Sequence, residues 1–276
     1  MVGIVILNYN NSAQTIECIE SLRRCCPGGN WRVCVVDNAS AHDQWEALQA
    51  VRDDALVTVL RADTNGGYAC GNDIGCRFFD GDPSVDNILI LNDDTLFTQD
   101  ILTPMEDYLA AHKNCGVVFP LVLAPDGSID KACMRRQKTT CDLVLQATSL
   151  GRFGVRRKEF IIGDPAAVKD LCKVPPGSCM MLPKAVFREI GWLDPGTFLY
   201  FEEHILLARL SARGYDSAFM PEISIIHKGA QTTKKQPSKA VYRHWRNSYL
   251  YFMRNYADVP ALLVQLLRLR TWFKTL

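Results

Sequence analysis

The sequence predicts an α/β protein built on a doubly wound, mostly parallel, Rossmann-like sheet with a helical C-terminal extension. Three observations predict it. Short apolar runs of strand length alternate with helix-like segments through the first half of the chain. Polar clusters follow those runs, where the carboxyl ends of parallel strands gather and ligands bind: Asn8-Tyr9-Asn10, Asp37-Asn38-Ala39-Ser40, Asn65-Gly66-Gly67 and Asn92-Asp93-Asp94. After about Pro237 the pattern becomes two helical stretches separated near Asp258-Val259-Pro260.

Taken in order, Val2 to Leu7 is a short apolar run, the mark of a strand buried on both faces. Ser12 is placed to cap a helix that carries Ile16, Ile19 and Leu22 on one side. Arg32 to Val36 is the second strand, and a helix from about His42 follows Ser40. Leu56 to Leu60 and Ile88 to Leu91 supply two more strands, with a helix from about Tyr68 to Phe79 between them. Pro125-Asp126-Gly127 reads as a turn between strands. Lys131 to Lys173 is basic in places, has no clear period, and is expected to form loops and short elements. The pattern sharpens at Pro175-Pro176-Gly177, followed by an apolar run to Leu182 and a helix from near Pro183. Leu199 to Gly214 reads as a helix behind a short aromatic segment.

Bulk properties narrow the function classes. With 276 residues, 48% hydrophobic and 22% charged, the chain can bury an ordinary globular core. A net charge of +1 at pH 7 offers no overall electrostatic case for nucleic acid, so an anionic ligand must be met by a local site. The 11 cysteines include the adjacent pair Cys25-Cys26 and no C-x-x-C spacing; reduced thiols packed as small hydrophobes are expected, in a cytoplasmic protein. Met1 leads straight into the first strand without a signal-peptide pattern, and no stretch reaches the roughly 18 apolar residues needed to span a bilayer.

Chemistry concentrates at a few places. Carboxylates just after a buried strand, as at Asn92-Asp93-Asp94, are desolvated unless a cation or donor meets them. Mg²⁺ or Mn²⁺ bridging a diphosphate is one such partner; a strand-end turn with helix-capping acids is the plainer alternative. Asp37 could accept hydrogen bonds from a base or ribose, and Asn65 through Asn72 combines glycines with amides that suit close approach of a ligand. Glu202-Glu203 opens a helix behind Phe198-Leu199-Tyr200-Phe201; acids there offset the helix dipole, or one of them serves as a general base. His227 ends the apolar run Ile223 to Ile226 and could ligate a metal.

In order, V-I-L-N-Y-N-N-S, V-V-D-N-A-S, T-N-G-G-Y-A-C-G-N-D-I-G, L-N-D-D-T, P-P-G-S-C-M-M-L-P, I-G-W-L-D-P-G-T-F-L-Y-F-E-E and I-I-H-K-G resemble the family-2 glycosyltransferases, and within them the rhamnosyltransferase and galactofuranosyltransferase-like branch. The resemblance runs from about Val2 to Gly229. It implies a GT-A fold, an inverting single displacement and a divalent metal, Mn²⁺ or Mg²⁺. It places Asn8, Tyr9, Asn10, Asp37, Asn38, Asn65, Gly66, Gly67 and Asn72 with the nucleotide-sugar, together with Asn92 and Asp93. It makes Asp94 the metal ligand and His227 its complement, and it puts the base at the Glu202-Glu203 pair. The usual second acid, an aspartate, is Glu203 here, one methylene longer, and Asn92 stands for the first D-x-D acid; the choice between Glu202 and Glu203 stays open.

On this reading residues 1–236 form the transferase domain, with a nucleotide-sugar half (1–123) and an acceptor half (124–236), and residues 237–276 form the extension. The implied partners are a dTDP- or UDP-sugar carrying rhamnose or a related hexose, and a glycan or lipid-linked glycan acceptor in bacterial surface polysaccharide synthesis. The alternatives are a catalytically degenerate nucleotide- or glycan-binding module and a sugar-nucleotide pyrophosphorylase. The latter would show a glycine-rich basic loop where Asn8-Tyr9-Asn10-Asn11 stands.

The tail carries its own signal. Asp258 suits an N-cap and Pro260 a first helical turn. Leu262, Leu263, Leu266, Leu269, Phe273 and Leu276 recur at three- and four-residue spacing, flanked by Arg268, Arg270 and Lys274, with Trp272 near. Such a helix lies on an anionic membrane, the cytoplasmic face of the inner membrane in this setting, or packs on its own domain or on a second subunit in a homodimer.

Overall fold

The computed structural model describes residues 1–52, 56–146, 159–229, 238–257 and 259–272. Strands and helices alternate through the first half: β1 (Val2–Asn8), α1 (Ser12–Cys25), β2 (Trp31–Asp37), α2 (His42–Leu48), β3 (Val57–Arg61), α3 (Gly67–Asp80) and β4 (Asn87–Asn92). Four further strands follow: β5 (Thr95–Phe97), β6 (Cys115–Leu123), β7 (Cys179–Pro183) and β8 (Asp216–His227). Between and after them lie α4 (Leu102–Ala111), α5 (Thr140–Gln146), α6 (Pro165–Val168), α7 (Lys184–Glu189), α8 (Glu202–Ala212), α9 (Ser238–Asn255) and α10 (Ala261–Trp272).

All eight strands join one sheet in the order β3-β2-β1-β4-β7-β6-β8-β5. The pairs β1–β2, β1–β4, β2–β3 and β6–β8 are parallel, while β7 runs against both its neighbours and β5 runs against β8. The expected mostly parallel, doubly wound sheet is therefore present. Near-continuous burial along β1, β2 and β4 explains why those runs read as unbroken apolar segments.

Register decides what the sheet does with its polar ends. Asn8 pairs with Asp37, Leu7 with Asn92 and Asp37 with Arg61, so one row of polar residues crosses the carboxyl ends of four strands. Thr95 pairs with His227, which brings the end of β8 beside the acidic turn between β4 and β5.

Several local expectations are corrected. Asn11, not Ser12, occupies the N-cap of α1, and the Ser12 hydroxyl bonds Gln44 Oε1 at 2.9 Å instead. The 125–127 turn returns only to a single bridge between Leu123 and Ile129, without a second full strand. The helix expected from Leu199 starts at Glu202, because Tyr200 and Phe201 hold left-handed φ values of 76° and 72°. Eight of the 11 unpaired cysteines are buried, packed as small apolar groups.

The C-terminal helices close a second core. Phe201 and Ile205 of the α8 region meet Tyr249, Phe252 and Met253 of α9 and Leu267 of α10. Asp194 ties this core to the segment before α8, accepting from Arg209 Nη2 at 2.8 Å, Tyr251 Oη at 2.9 Å, Gly196 N at 2.8 Å and the Tyr256 hydroxyl. Ser248 Oγ donates to Leu199 O at 2.8 Å. Left-handed non-glycine residues cost about 1–3 kcal/mol each; these bonds hold the strained turn that aims Glu202 and Glu203. The tail's apolar residues divide between two faces: Leu263 and Leu267 pack inward, whereas Leu262, Leu266 and Leu269 are exposed. Asp258, Phe273, Lys274 and Leu276 lie outside the described residues.

Candidate functional site

At the carboxyl ends of β1 to β3 the polar residues form one interlocked cradle. Asn8 is wholly buried; its Nδ2 donates to Asp37 Oδ1 at 2.9 Å and Ser40 Oγ at 3.1 Å, and its Oδ1 accepts from Thr15 at 3.0 Å. Asn8 is therefore spent on building the site, with its polar atoms turned to neighbours. Asn10, at φ 54°, receives its place from Ser40 Oγ on its N–H at 2.8 Å and from Ala41 N, which donates to its side chain at 2.8 Å. Asp37 is fully buried, with Arg61 Nε 3.6 Å from its Oδ2, and that guanidinium also lies over the Trp45 ring.

Asn38 links this cradle to the next loop. Its Nδ2 donates to Asn65 Oδ1 at 2.9 Å and Gly67 O at 3.1 Å, while Gly66 N donates to its Oδ1 at 3.2 Å. Gly67 sits at φ +81°, and a Cβ there would lie 2.1 Å from Phe198 O. No side chain fits that approach. Gly67→Ala is expected to cost at least about 2 kcal/mol through strain and clash, lowering Tm by about 4–8 °C; thermal denaturation checks it. Asn72 stands apart from the cradle. Its Nδ2 bonds Tyr68 O at 3.0 Å within α3, and its buried Oδ1 has no partner.

The turn after β4 carries the acids. His227 Nε2 lies 3.1 Å from Asp94 Oδ1 and 3.5 Å from Asn92 Nδ2, and its Nδ1 lies 3.3 Å from Asp130 Oδ2. The Asp94 contact is close enough for an ion pair but too poorly aligned to hydrogen-bond, so this buried oxygen goes unsatisfied. Burial opposes charge on His227, but the Asp130 hydrogen bond and the facing Asp94 carboxylate outweigh it and raise its pKa to about 9. Burial, then repulsion from Asp94, pushes Asp93 up to about 8, against hydrogen bonds from the Asn11 side chain and the Tyr9 backbone. A buried carboxylate with an orphaned oxygen, next to a half-buried one and beside an imidazole, suits a hard divalent cation. Among the described residues no three His, Cys, Asp or Glu side chains form a closed cage. Mg²⁺ is usually held by only one or two protein carboxylates together with substrate oxygens.

Glu202 and Glu203 face different surroundings. Glu202 is 6% exposed with Oε1 unpartnered; burial, then the neighbouring Glu203 charge, raises it to about 8. Glu203 accepts from Arg135 Nη2 at 3.2 Å, and a Cβ added at Gly177 would lie 3.1 Å from its Oε1 and 3.4 Å from Tyr68 Oη. Tyr68 Oη in turn donates to Gly177 O at 2.5 Å, and Arg135 Nη2 also donates to Pro175 O at 2.9 Å. The 175–178 turn is shared by both acid clusters, since Asn92 N donates to Ser178 O at 2.9 Å.

Glu202 yields a pH prediction. Its folded pKa is above the unfolded value of 4.5, so its contribution is fully present below about pH 4.5 and is lost as pH rises through about 8. Glu202→Gln is expected to flatten that decline and to raise Tm at pH 9, by about 2–4 °C per kcal/mol recovered. A pH series of melting curves for both proteins tests it.

Sequence reasoning missed Arg61, Tyr68, Asp130, Arg135 and Ser178. Arg61 closes an apolar run at a strand's carboxyl end and could have been flagged there. Arg135 lies in a stretch without periodicity and Asp130 just before it, after the 125–127 turn, and neither setting carries a signal for its placement.

With this geometry in place, comparison with known proteins adds four findings. The model of the family described as "Glycosyl transferase family 2" matches residues 3–191. The N-acetylglucosaminyl-diphospho-decaprenol L-rhamnosyltransferase of Mycobacterium tuberculosis is 25% identical over 179 residues, 62% of this chain and 56% of that enzyme. The Haloferax volcanii low-salt glycan biosynthesis hexosyltransferase Agl10 is 25% identical over 255 residues, 90% of this chain and 74% of Agl10. Among solved structures, the mannosyltransferase PcManGT from Pyrobaculum calidifontis, in complex with GDP-Man and Mn²⁺, superposes with a TM-score of 0.61 at 15% identity, covering 98% of this chain and 69% of that one. The shared architecture is the GT-A fold, as the resemblance implied.

Proposed function

We propose, for a chain that belongs to glycosyl transferase family 2, that it is a metal-dependent inverting transferase. It would move rhamnose or a related hexose from a dTDP- or UDP-sugar to a glycan or lipid-linked glycan acceptor in surface polysaccharide synthesis. The observation that carries this reading is the 175–178 turn: it hydrogen-bonds the strand that ends in the Asn92–Asp94 triplet and borders Glu203. A leaving diphosphate and an attacking hydroxyl can thus be served across one short stretch of backbone.

In this mechanism the cradle of Asp37, Asn38, Asn65, Gly66 and Gly67 receives the nucleoside, with Tyr9 and Asn10 at its margin. Asn72, whose buried Oδ1 needs a donor, accepts from a donor-substrate hydroxyl or amide. Asp94 and His227 would hold the divalent ion, which supplies Lewis-acid stabilisation of charge developing on the diphosphate. Glu203 is the base. Arg135 occupies its Oε1 and orients the carboxylate, and a proton from the acceptor hydroxyl is taken as that oxygen attacks the anomeric carbon opposite the leaving group. Glu202, buried behind it and held toward its neutral form, forms part of the wall.

The rhamnose assignment is supported by the mycobacterial rhamnosyltransferase and by Escherichia coli WbbL, a rhamnosyltransferase 25% identical over 173 residues. The family match and the acid pair favour a transferase over a pyrophosphorylase or an inert binding module. Thermal-shift screening with Mn²⁺ across dTDP-rhamnose, UDP-galactofuranose and UDP-glucose tests the donor. Transfer or slow hydrolysis of the stabilising donor then separates an enzyme from a binding module. Stabilisation by none of these donors would overturn the reading.

A further inference from the structure

The overall charge of +1 conceals a division. Residues 238–276 carry seven Lys or Arg against one Asp or Glu, whereas residues 1–237 carry 24 against 29, so a +6 segment is joined to a −5 body. Among the described residues no ion pair joins a carboxylate to Arg243, Arg246, Arg254 or Arg268.

This cationic segment also presents leucine outward. Leu262, Leu266 and Leu269 are 75%, 54% and 59% exposed, at four- and three-residue spacing along one stripe of α10. The opposite side of the helix is fastened down. Leu267 is buried in the second core, and Arg246 of α9 donates to Thr271 Oγ1 and Arg268 O, each at 3.0 Å. The leucines are thus held outward on a docked helix. In sequence, Phe273 and Leu276 continue the same spacing.

The geometry points to α10 as a docking face for an anionic lipid surface, with Leu262, Leu266 and Leu269 entering the interfacial layer and the segment's excess positive charge drawn to the headgroups. Charge complementarity selects this occupant: a symmetric dimer through the same stripe would set one +6 segment against another, and like charges resist that. No described helix is long and apolar enough to cross a membrane, so the helix lies along the surface. This inference does not rest on the proposed transfer reaction.

The test is co-sedimentation of the full chain at low salt with phosphatidylcholine vesicles, with and without phosphatidylglycerol. Expected is pelleting with the anionic vesicles alone, a loss of about tenfold or more in the Leu262→Gln/Leu266→Gln/Leu269→Gln variant, and a similar loss in Arg268→Glu/Arg270→Glu/Lys274→Glu. Thermal stabilisation by UDP and Mn²⁺ reports separately on the fold and on the transfer reading. Equal pelleting of wild type and both variants, absence of pelleting at low salt, or a dimer in solution that the leucine variant abolishes would overturn the inference.

Discussion

Asp94→Ala is expected to abolish transfer while leaving the protein folded. Asp94 is a buried carboxylate with an unsatisfied oxygen, beside a second carboxylate, Asp93, that burial and this same charge push to about 8. Removing it relieves that repulsion but also takes an ion-pair partner from His227, which keeps Asp130, so Tm without metal should change little. Transfer should fall by about 10³-fold or more, since Lewis-acid stabilisation of a leaving diphosphate is worth several kcal/mol and each 1.36 kcal/mol is tenfold in rate. Two measurements check this. Turnover should vanish in EDTA and return with Mn²⁺ or Mg²⁺, and stabilisation by UDP should require Mn²⁺ in the native chain and be lost in the variant. Full activity in chelator would refute the metal role.

Glu203→Gln is expected to lower turnover by about 10²–10⁴-fold, the usual span for a positioned base, with donor binding nearly unchanged. The amide keeps the length of the side chain and can still accept from Arg135, so the loss isolates proton acceptance from packing. Glu202→Gln supplies the contrast. Glu202 is buried and held toward its neutral form, so its amide substitute should keep turnover while gaining stability above about pH 8. A dead Glu202→Gln beside an active Glu203→Gln would move the base by one residue.

The sequence by itself determined the parallel half of the sheet and the polar strand ends. Apolar runs such as Val2 to Leu7 and Ile88 to Leu91 have strand length and are too short for a buried helix, and Asn8, Asp37 and Asn92 follow from being the next residues along. The order of motifs was likewise legible, and the family match over residues 3–191 agrees with it.

Only the tertiary structure decided which side chains meet. β8 returns to pair Thr95 with His227, a contact spanning 132 positions that no local pattern encodes. Arg135 comes from an aperiodic segment and Asp130 from the edge of it, and they reach Glu203 and His227 through backbone bridges and turns. The left-handed turn at Tyr200 and Phe201 is disfavoured for both residues, and sequence patterning therefore extended the helix through it; Ser248 and the Asp194 network from α9 hold it in place. Likewise the tail's leucines share one period in sequence, and packing on α9 divides them into an inward set and an exposed stripe. Local period reports that a face is apolar; what that face meets depends on the elements that fold against it.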